Sequence, residues 1–314
     1  MKDKELKVLK ILYKEKLISQ RRISEISLIS LGSVNNIINS LIKEGYVLTN
    51  RLSYRNVEYE VTKKALELLD NKFIRKAVIL AAGMGMRLDS GDDKIIPAGF
   101  VKINGKSLIE ISIEKLINNG IEEIIIVTGH LNRYYEDLKV KYKQIITIQN
   151  ERFHSNGSML SLALAEKYIN EDFILIESDL IYEEIAIKEI QYTPLKDCTI
   201  LSDITEHDDV VFVEAKNNNL CKISKSRHSL SSISGEMVGI TKISNSLYKK
   251  MLREYEKSTN PFYHYEYALE DLAKDHNVGI IKLEDFVWSD IDNAEDIKRV
   301  KEKILPILKS RDEI

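Results

Sequence analysis

Residues 76 to 88 read Lys76-Ala77-Val78-Ile79-Leu80-Ala81-Ala82-Gly83-Met84-Gly85-Met86-Arg87-Leu88. The apolar run from Ala77 to Ala82 has the length and composition of a buried strand in a parallel sheet. It stops at Gly83 and Gly85, where the backbone is released into a tight loop. A strand that ends in such a loop can aim main-chain N–H groups at an anion without interference from Cβ atoms. Arg87, two residues past the second glycine, adds a permanent cation with a planar fork of donors. A nucleoside triphosphate fits this description. Spacing disfavours two other phosphate motifs. A dinucleotide fold wants Gly-x-Gly-x-x-Gly running into a helix, and its third glycine would fall at Leu88. The triplet Gly105-Lys106-Ser107 would need a glycine at position 100 to form a P-loop, and that residue is Phe100.

The stretch from Leu80 to Leu88, with Pro97 and then Val101-Lys102-Ile103-Asn104-Gly105-Lys106-Ser107-Leu108-Ile109-Glu110, resembles the MobA-like and sugar-phosphate nucleotidyltransferases. Within that superfamily it is most similar to the bacterial cytidylyltransferases that load choline phosphate or 2-aminoethylphosphonate onto CMP. The resemblance covers roughly residues 75 to 310. It implies a Mg²⁺-dependent enzyme, with CTP favoured over UTP by the resemblance alone, and a nucleotide site that includes Leu80, Ala81, Ala82, Gly83, Gly85, Met86 and Arg87.

With 314 residues, the chain suits two domains, and 44% hydrophobic with 30% charged residues reads as soluble and globular. No run of 18 apolar residues occurs, and the opening Met-Lys-Asp-Lys-Glu lacks the apolar stretch of a signal peptide, so a cytoplasmic protein with no membrane contact is expected. Cys198 and Cys221 have no metal-ligand spacing and read as structural thiols. Residues 1 to 72 hold 14 Lys plus Arg against 9 Asp plus Glu, while the whole chain has a net charge of −3, so the two parts are expected to meet different partners.

In residues 1–72, Leu6, Leu9, Tyr13 and Leu17 recur at helical spacing, Ser19 can cap a second helix, and Gly32-Ser33 opens a third that runs to about Glu44. Alternating segments near 46–51 and 56–62 then resemble the wing of a winged helix-turn-helix, and a helix from Thr62 to Leu69 closes the unit. That resemblance makes Ser33, Asn35, Asn36 and Asn39 the face of a DNA-reading helix and puts Arg51 and Arg55 on the wing. Winged helices also serve as dimerisation or docking modules, so a homodimer is the other expectation, with a solvated asparagine face as the plain one. Residues 70–76 form a short charged joint without glycine or proline.

From residue 73 to 314, strand and helix alternate. A helix over 107–119 stops at Gly120, strands cover 123–128, 144–149 and 173–177, and a helix covers 158–168. This pattern predicts an α/β fold with a mainly parallel, Rossmann-like sheet of the nucleotidyltransferase (GT-A-like) type, covered on both faces. Beyond about residue 195, strand-like segments at 198–202, 209–215, 219–224 and 236–243 read as an antiparallel lid, followed by helices near 244–256 and 264–274.

Phe173-Ile-Leu-Ile-Glu-Ser-Asp179 ends a strand in a carboxylate, where α/β sheets build their sites, and Asp290 and Asp292 follow Trp288-Ser289 in another strand. The resemblance makes Asp179 and Asp292 the Mg²⁺ ligands, a metal that takes one or two carboxylates and fills its remaining positions with water and phosphate oxygens. It also implies a Lys directly after Pro97, where this chain has Ala98. Lys102 and Lys94 are the nearest cations, and Arg87 with Lys102 are taken as the catalytic cations.

For the base, the resemblance points to Gln149–Ser158, where Asn150, Asn156, Gly157 and Ser158 offer amide and backbone groups to a pyrimidine edge. For the acceptor, Pro261-Phe-Tyr-His-Tyr-Glu-Tyr267 is rich in aromatics. Tyr263, Tyr265 and Trp288, with a carboxylate such as Glu236 or Glu266, are candidates to hold an ammonium group. The expected partners are CTP and a small phosphate or phosphonate acceptor. Two alternatives stay open: a sugar-1-phosphate nucleotidyltransferase, and a DNA-binding regulator whose transferase-like domain senses a nucleotide.

Overall fold

Hydrophobic residues repeat with a helical period at the start of the chain and with alternating strand and helix periods after residue 73, and the three-dimensional structure divides accordingly. The structure, a computed structural model, describes all residues except 16–17, 52–56, 70–72, 84–95 and 206–209, with the side chains of residues 50, 51 and 58 also outside the description. One compact unit is Met1–Phe73 with Gln191–Leu195, and the other is Ile74–Ile190 with Lys196–Ile314.

The first unit holds helices α1 (Asp3–Lys14), α2 (Gln20–Ser27) and α3 (Leu31–Lys43), strands β1 (Val47–Arg51) and β2 (Val57–Val61), and helix α4 (Lys63–Leu69). Ser19 Oγ accepts from Arg22 N at 3.2 Å and caps α2. The α3 cap is Ser30, two residues before the Gly32 expected to open it. Val8, Leu9, Ile23, Val34, Ile38 and Leu41 meet in a buried core, to which α3 contributes at i, i+4 and i+7, and β1 and β2 pair antiparallel with Val47 opposite Val61. Asn35, Asn36 and Asn39 lie on the exposed side of α3, opposite that core.

In the second unit, the order is β3 (Lys76–Ala81), a small hairpin of β4 (Lys102–Ile103) and β5 (Lys106–Ser107), α5 (Leu108–Asn118), β6 (Glu123–Thr128), α6 (Arg133–Lys141) and β7 (Ile145–Gln149). Then come α7 (Ser158–Leu164), β8 (Phe173–Glu177), β9 (Leu180–Tyr182), α8 (Ile185–Tyr192), β10 (Cys198–Ser202), β11 (Phe212–Lys216), β12 (Asn219–Ser224) and β13 (Gly235–Ile243). The chain closes with α9 (Asn245–Lys257), α10 (Tyr265–Leu272), β14 (Gly279–Lys282), β15 (Trp288–Asp290), α11 (Ala294–Arg299) and α12 (Leu305–Ser310). Helix α5 begins with a capping box: Ser107 Oγ accepts from Glu110 N, and Glu110 accepts from Ser107 N.

Among the described residues, nine strands form one sheet in the order β10-β14-β12-β11-β13-β8-β3-β6-β7. Strands β8, β3, β6 and β7 run parallel, as their helical crossovers require. The sheet as a whole is mixed, not mainly parallel. The segments expected to form a separate antiparallel lid instead extend the same sheet, because β13 pairs antiparallel with β8. A two-residue turn explains part of the difference. Asn217 and Asn218, with φ of 52° and 60°, join β11 to β12 in the doubly left-handed conformation that suits a hairpin, so this connection cannot make a parallel crossover.

Alternation in the central strands assigns the two faces. Ala77, Ile79, Ile124 and Ile126 pack with Ile109, Ile113 and Leu116 of α5 and Tyr135 of α6. Val78, Ile125 and Val127 face Met159 and Leu162 of α7, Met251 of α9 and Leu269 of α10. Both faces are therefore covered, which fits the continuous apolar runs of these strands. Ile126→Ala would leave a cavity beneath α5 and is expected to destabilise this unit by about 2–5 kcal/mol. A urea titration followed through the single tryptophan, Trp288, should show the lower midpoint.

Candidate functional site

Strands β3 and β8 end side by side, with Leu80 in register with Glu177. The chain leaving β3 at Ala82-Gly83 and the chain leaving β8 at Ser178-Asp179 therefore face one crevice at the carboxyl ends of parallel strands. Strand β15 pairs antiparallel with β9 so that Asp290 lies opposite Leu180, and Ile291 N donates to Asp179 O at 3.0 Å. This ribbon joins the two acidic motifs, which are more than a hundred residues apart in sequence.

Two adjoining cavities result. The larger, about 280 Å³, is lined by Leu80–Gly83, Ala98, Asn156–Ser158 and His264, among others. The smaller, about 150 Å³, is lined by Lys225, Gly239, Trp288, Asp290 and Asp292, among others. Glu177, Asp179, Tyr265 and Glu266 line both and form their common wall.

On the larger cavity's rim, Gly157 N donates to Pro261 O at 2.9 Å, and a Cβ at 157 would overlap the carbonyl of Tyr263, so the close approach needs glycine. Ser158 N donates to His264 Nδ1 at 3.3 Å, and Ser158 Oγ accepts from Tyr265 N at 3.1 Å. As an acceptor at Nδ1, a neutral His264 carries its proton on Nε2. Burial, with the nearby Lys225 charge, holds its pKa below the ordinary histidine value.

The common wall is acidic. Tyr265 OH donates to Glu177 Oε1 at 2.7 Å. Gly239, with φ of 81°, backs this carboxylate so closely that a Cβ there would lie 3.0 Å from Glu177 Oε2. Asp179 Oδ1, Glu266 Oε2 and Trp288 Nε1 are buried and make no hydrogen bond among the described residues. Burial comes first in raising the pKa of Glu177, Asp179 and Glu266, and repulsion from neighbouring carboxylates adds to it for Glu177 and Asp179. Asp290 is raised to about 6, again chiefly by burial and then by Asp292 and Asp296. Among the described residues, no group of three or more His, Cys, Asp or Glu side chains could hold a metal ion by itself.

Helix α11 fixes the second acidic motif. Asp296 Oδ2 accepts from Asp292 N at 3.1 Å and from Asn293 N at 3.2 Å, while Asp296 Oδ1 pairs with Arg299 Nη1 at 2.8 Å. Arg299 Nη2 reaches back to Ser289 Oγ at 2.6 Å and lies 3.6 Å from Asp290 Oδ1. Both side chains of this pair are largely buried, at 18% and 13% exposure, so solvent screens them little.

Of the residues singled out in the sequence, Leu80, Ala81, Ala82, Gly83, Asn156, Gly157, Ser158, Asp179, Tyr265, Trp288 and Asp292 line one or both cavities. Gly85, Met86, Arg87 and Lys94 lie outside the described residues, as does Arg55 on the wing. Four others are not brought to the cavities. Asn150 is buried, donating to Ser161 Oγ and accepting from Arg152 N, so its amide organises the loop. Glu236 is fully buried and both its oxygens accept from Thr205, which leaves it no reach to the acceptor cavity. Tyr263 turns its ring into the core and donates to Asp271. Lys102 is exposed on the β4–β5 hairpin and lines neither cavity, whereas Ala98, where the resemblance implies a lysine, lines the larger one.

Glu177, His264 and Gly239 were not anticipated. The signal for Glu177 was present, since residues two apart on an extended segment share a face and Asp179 was already marked. His264 lies within the aromatic stretch Pro261–Tyr267 that the sequence marks for the acceptor, whereas Gly239 reaches the site only through the fold.

A sheet whose parallel strand ends open onto two joined clefts, one bordered by Gly83 and one by acids, defines a nucleotidyltransferase-type α/β domain. Residues 77–189 match the MobA-like NTP transferase domain, and residues 1–47 match a winged helix-turn-helix DNA-binding family. The chain thus carries a MobA-like NTP transferase domain behind a winged helix-turn-helix, and its relatives are nucleotidyltransferases. A choline-phosphate cytidylyltransferase of Streptococcus pneumoniae is 32% identical over 110 residues, 35% of this chain and 47% of that protein. A 2-aminoethylphosphonate cytidylyltransferase of Lancefieldella rimae is 25% identical over 202 residues, 64% of this chain and 79% of that protein. The inositol-1-phosphate CTP transferase from T. maritima shares the fold with a TM-score of 0.65 at 20% identity, covering 75% of this chain and 96% of that one.

Arg299→Met removes a largely buried ion pair and leaves Asp296 without its cation. It is expected to destabilise the second unit by about 1–3 kcal/mol, with Arg299→Lys recovering only part because the fork geometry is lost. Urea denaturation of the three proteins measures the difference.

Proposed function

We propose that this chain transfers CMP from CTP to a small phosphorylated amino alcohol or aminophosphonate and releases pyrophosphate. The observation that carries the reading is the common wall of Glu177, Asp179, Tyr265 and Glu266 between a larger cleft at Gly83 and a smaller acidic one. Two substrates bound on either side of that wall would meet at Asp179. The relatives named above as choline-phosphate and 2-aminoethylphosphonate cytidylyltransferases support the nucleotide and acceptor classes.

The residues suit a hard divalent cation, since Asp179 Oδ1 is buried without a partner and Asp292 lines the same cavity. Mg²⁺ held by Asp179 and Asp292 would supply positive charge against the phosphate oxygens. Gly83 and the start of α7 hold the nucleotide, and His264, with its proton on Nε2, can donate to it. An acceptor phosphate or phosphonate oxygen attacks the α-phosphorus. The new P–O bond forms as the bond to the bridging oxygen breaks, and pyrophosphate leaves with the electron pair. The attacking oxygen is already an anion near neutral pH, so the protein's part is positioning and charge neutralisation, with no general base.

Pyrophosphate release in Mg²⁺, with CTP and UTP each tested against choline phosphate, ethanolamine phosphate, 2-aminoethylphosphonate and glucose-1-phosphate, tests the reading. CTP with an amine-bearing acceptor should give the signal, and Asp179→Asn and Asp292→Asn should each reduce it at least a hundredfold. Turnover confined to glucose-1-phosphate would contradict the acceptor class, and full activity in either variant would contradict the metal assignment.

For residues 1–72 we propose duplex DNA contact through α3, supported by the exposed Asn35, Asn36 and Asn39 and by the positive charge of this segment. Fluorescence anisotropy should register binding that weakens steeply with salt and is lost in Asn36→Asp. No binding at low salt would leave this unit as a dimerisation or docking module.

A further inference from the structure

Three buried polar atoms in the cleft lack a partner among the described residues: Asp179 Oδ1, Glu266 Oε2 and Trp288 Nε1. The divalent cation accounts for the first. The other two are of opposite kinds, a carboxylate acceptor and an indole donor, and both residues line the smaller cavity. A buried polar group left unpaired is costly, so such a pair points to a ligand that brings a hydrogen-bond donor and an anionic oxygen together.

Resting on the CMP-transfer reading, we infer that the smaller cavity is a zwitterion subsite. A primary ammonium of the acceptor binds Glu266 and Glu177, and an oxygen of its phosphate or phosphonate accepts from Trp288 Nε1–H. Glu177 is oriented for this role by Tyr265 OH on one oxygen and by Gly239 behind it. Lys225 lines the cavity and lies within electrostatic reach of Glu266, whose negative charge it partly offsets.

The same geometry selects against a trimethylammonium group. Such a group has no N–H and would leave Glu266 Oε2 without a hydrogen bond. It would have to be held by ring faces, and the aromatic residues lining this cavity are Tyr265 and Trp288. Tyr265 is almost fully buried, and its hydroxyl is committed to Glu177. A sugar phosphate could donate hydroxyls to Glu266 but brings no positive charge to offset two buried carboxylates.

The test measures both binding and CMP transfer for 2-aminoethylphosphonate, ethanolamine phosphate, choline phosphate and ethylphosphonate, using the full chain with CTP and Mg²⁺. The two primary amines should exceed choline phosphate and the amine-free ethylphosphonate at least tenfold in affinity and in kcat/KM. The comparison between the two amines tells an ester from a phosphonate. Glu266→Gln should erase most of that preference, whereas Trp288→Phe should weaken all four acceptors alike. A preference for choline phosphate, or an unchanged preference in Glu266→Gln, would overturn the subsite while leaving CMP transfer intact. Selective binding of the primary amines without CMP transfer would support the subsite and contradict the proposed reaction.

Discussion

Carboxylates crowded around one partly dry cavity are the constraint on which the site depends. Glu177, Asp179, Glu266, Asp290 and Asp292 line the smaller cavity; burial disfavours the charged forms of Glu177, Asp179, Glu266 and Asp290, and repulsion adds to it for Glu177, Asp179 and Asp290. A cluster of this kind holds its charge only when positive groups share the space. The protein supplies Lys225 at the wall and Arg299 beside Asp290. A divalent cation and a cationic acceptor would supply more, so the same electrostatic deficit favours both.

The scaffold around this cluster is built to keep the acids in place. Glu177 and Asp179 leave β8 at the end of a fully buried parallel strand, and the β9–β15 ribbon carries Asp290 and Asp292 to them. Asp296 and Arg299 tie down the far end of that ribbon. Positioning by rigid elements limits the relaxation by which the carboxylates could move apart, which suits catalysis by preorganised charge.

Much of this was legible in the sequence, and the exceptions have physical causes. The parallel block could be read because continuous apolar runs such as Ala77–Ala81 and Ile124–Val127 are buried on both faces. The antiparallel half was read as strands but assigned to a lid, since sequence gives strand propensity without pairing partners. Asn217-Asn218 was a local clue to one hairpin. Within the site, residues fixed by backbone motifs were found: Gly83, Gly157, Asp179 and Asp292 all line the cavities. Side-chain direction was less accessible. Glu236 alternates away from the cavity along β13, while its neighbour Met237 lines it, and Tyr263 points into the core two residues before Tyr265 reaches the wall.

On the proposed reaction, an acceptor oxygen and the α-phosphorus of CTP are joined across the wall of Glu177, Asp179, Tyr265 and Glu266. The most direct measurement is ³¹P NMR of the full chain with CTP, Mg²⁺ and 2-aminoethylphosphonate. The account predicts paired signals of a new phosphonate–phosphate anhydride growing together with pyrophosphate. Conversion of CTP to CMP without a new anhydride, or an unchanged spectrum while both ligands bind, would contradict it.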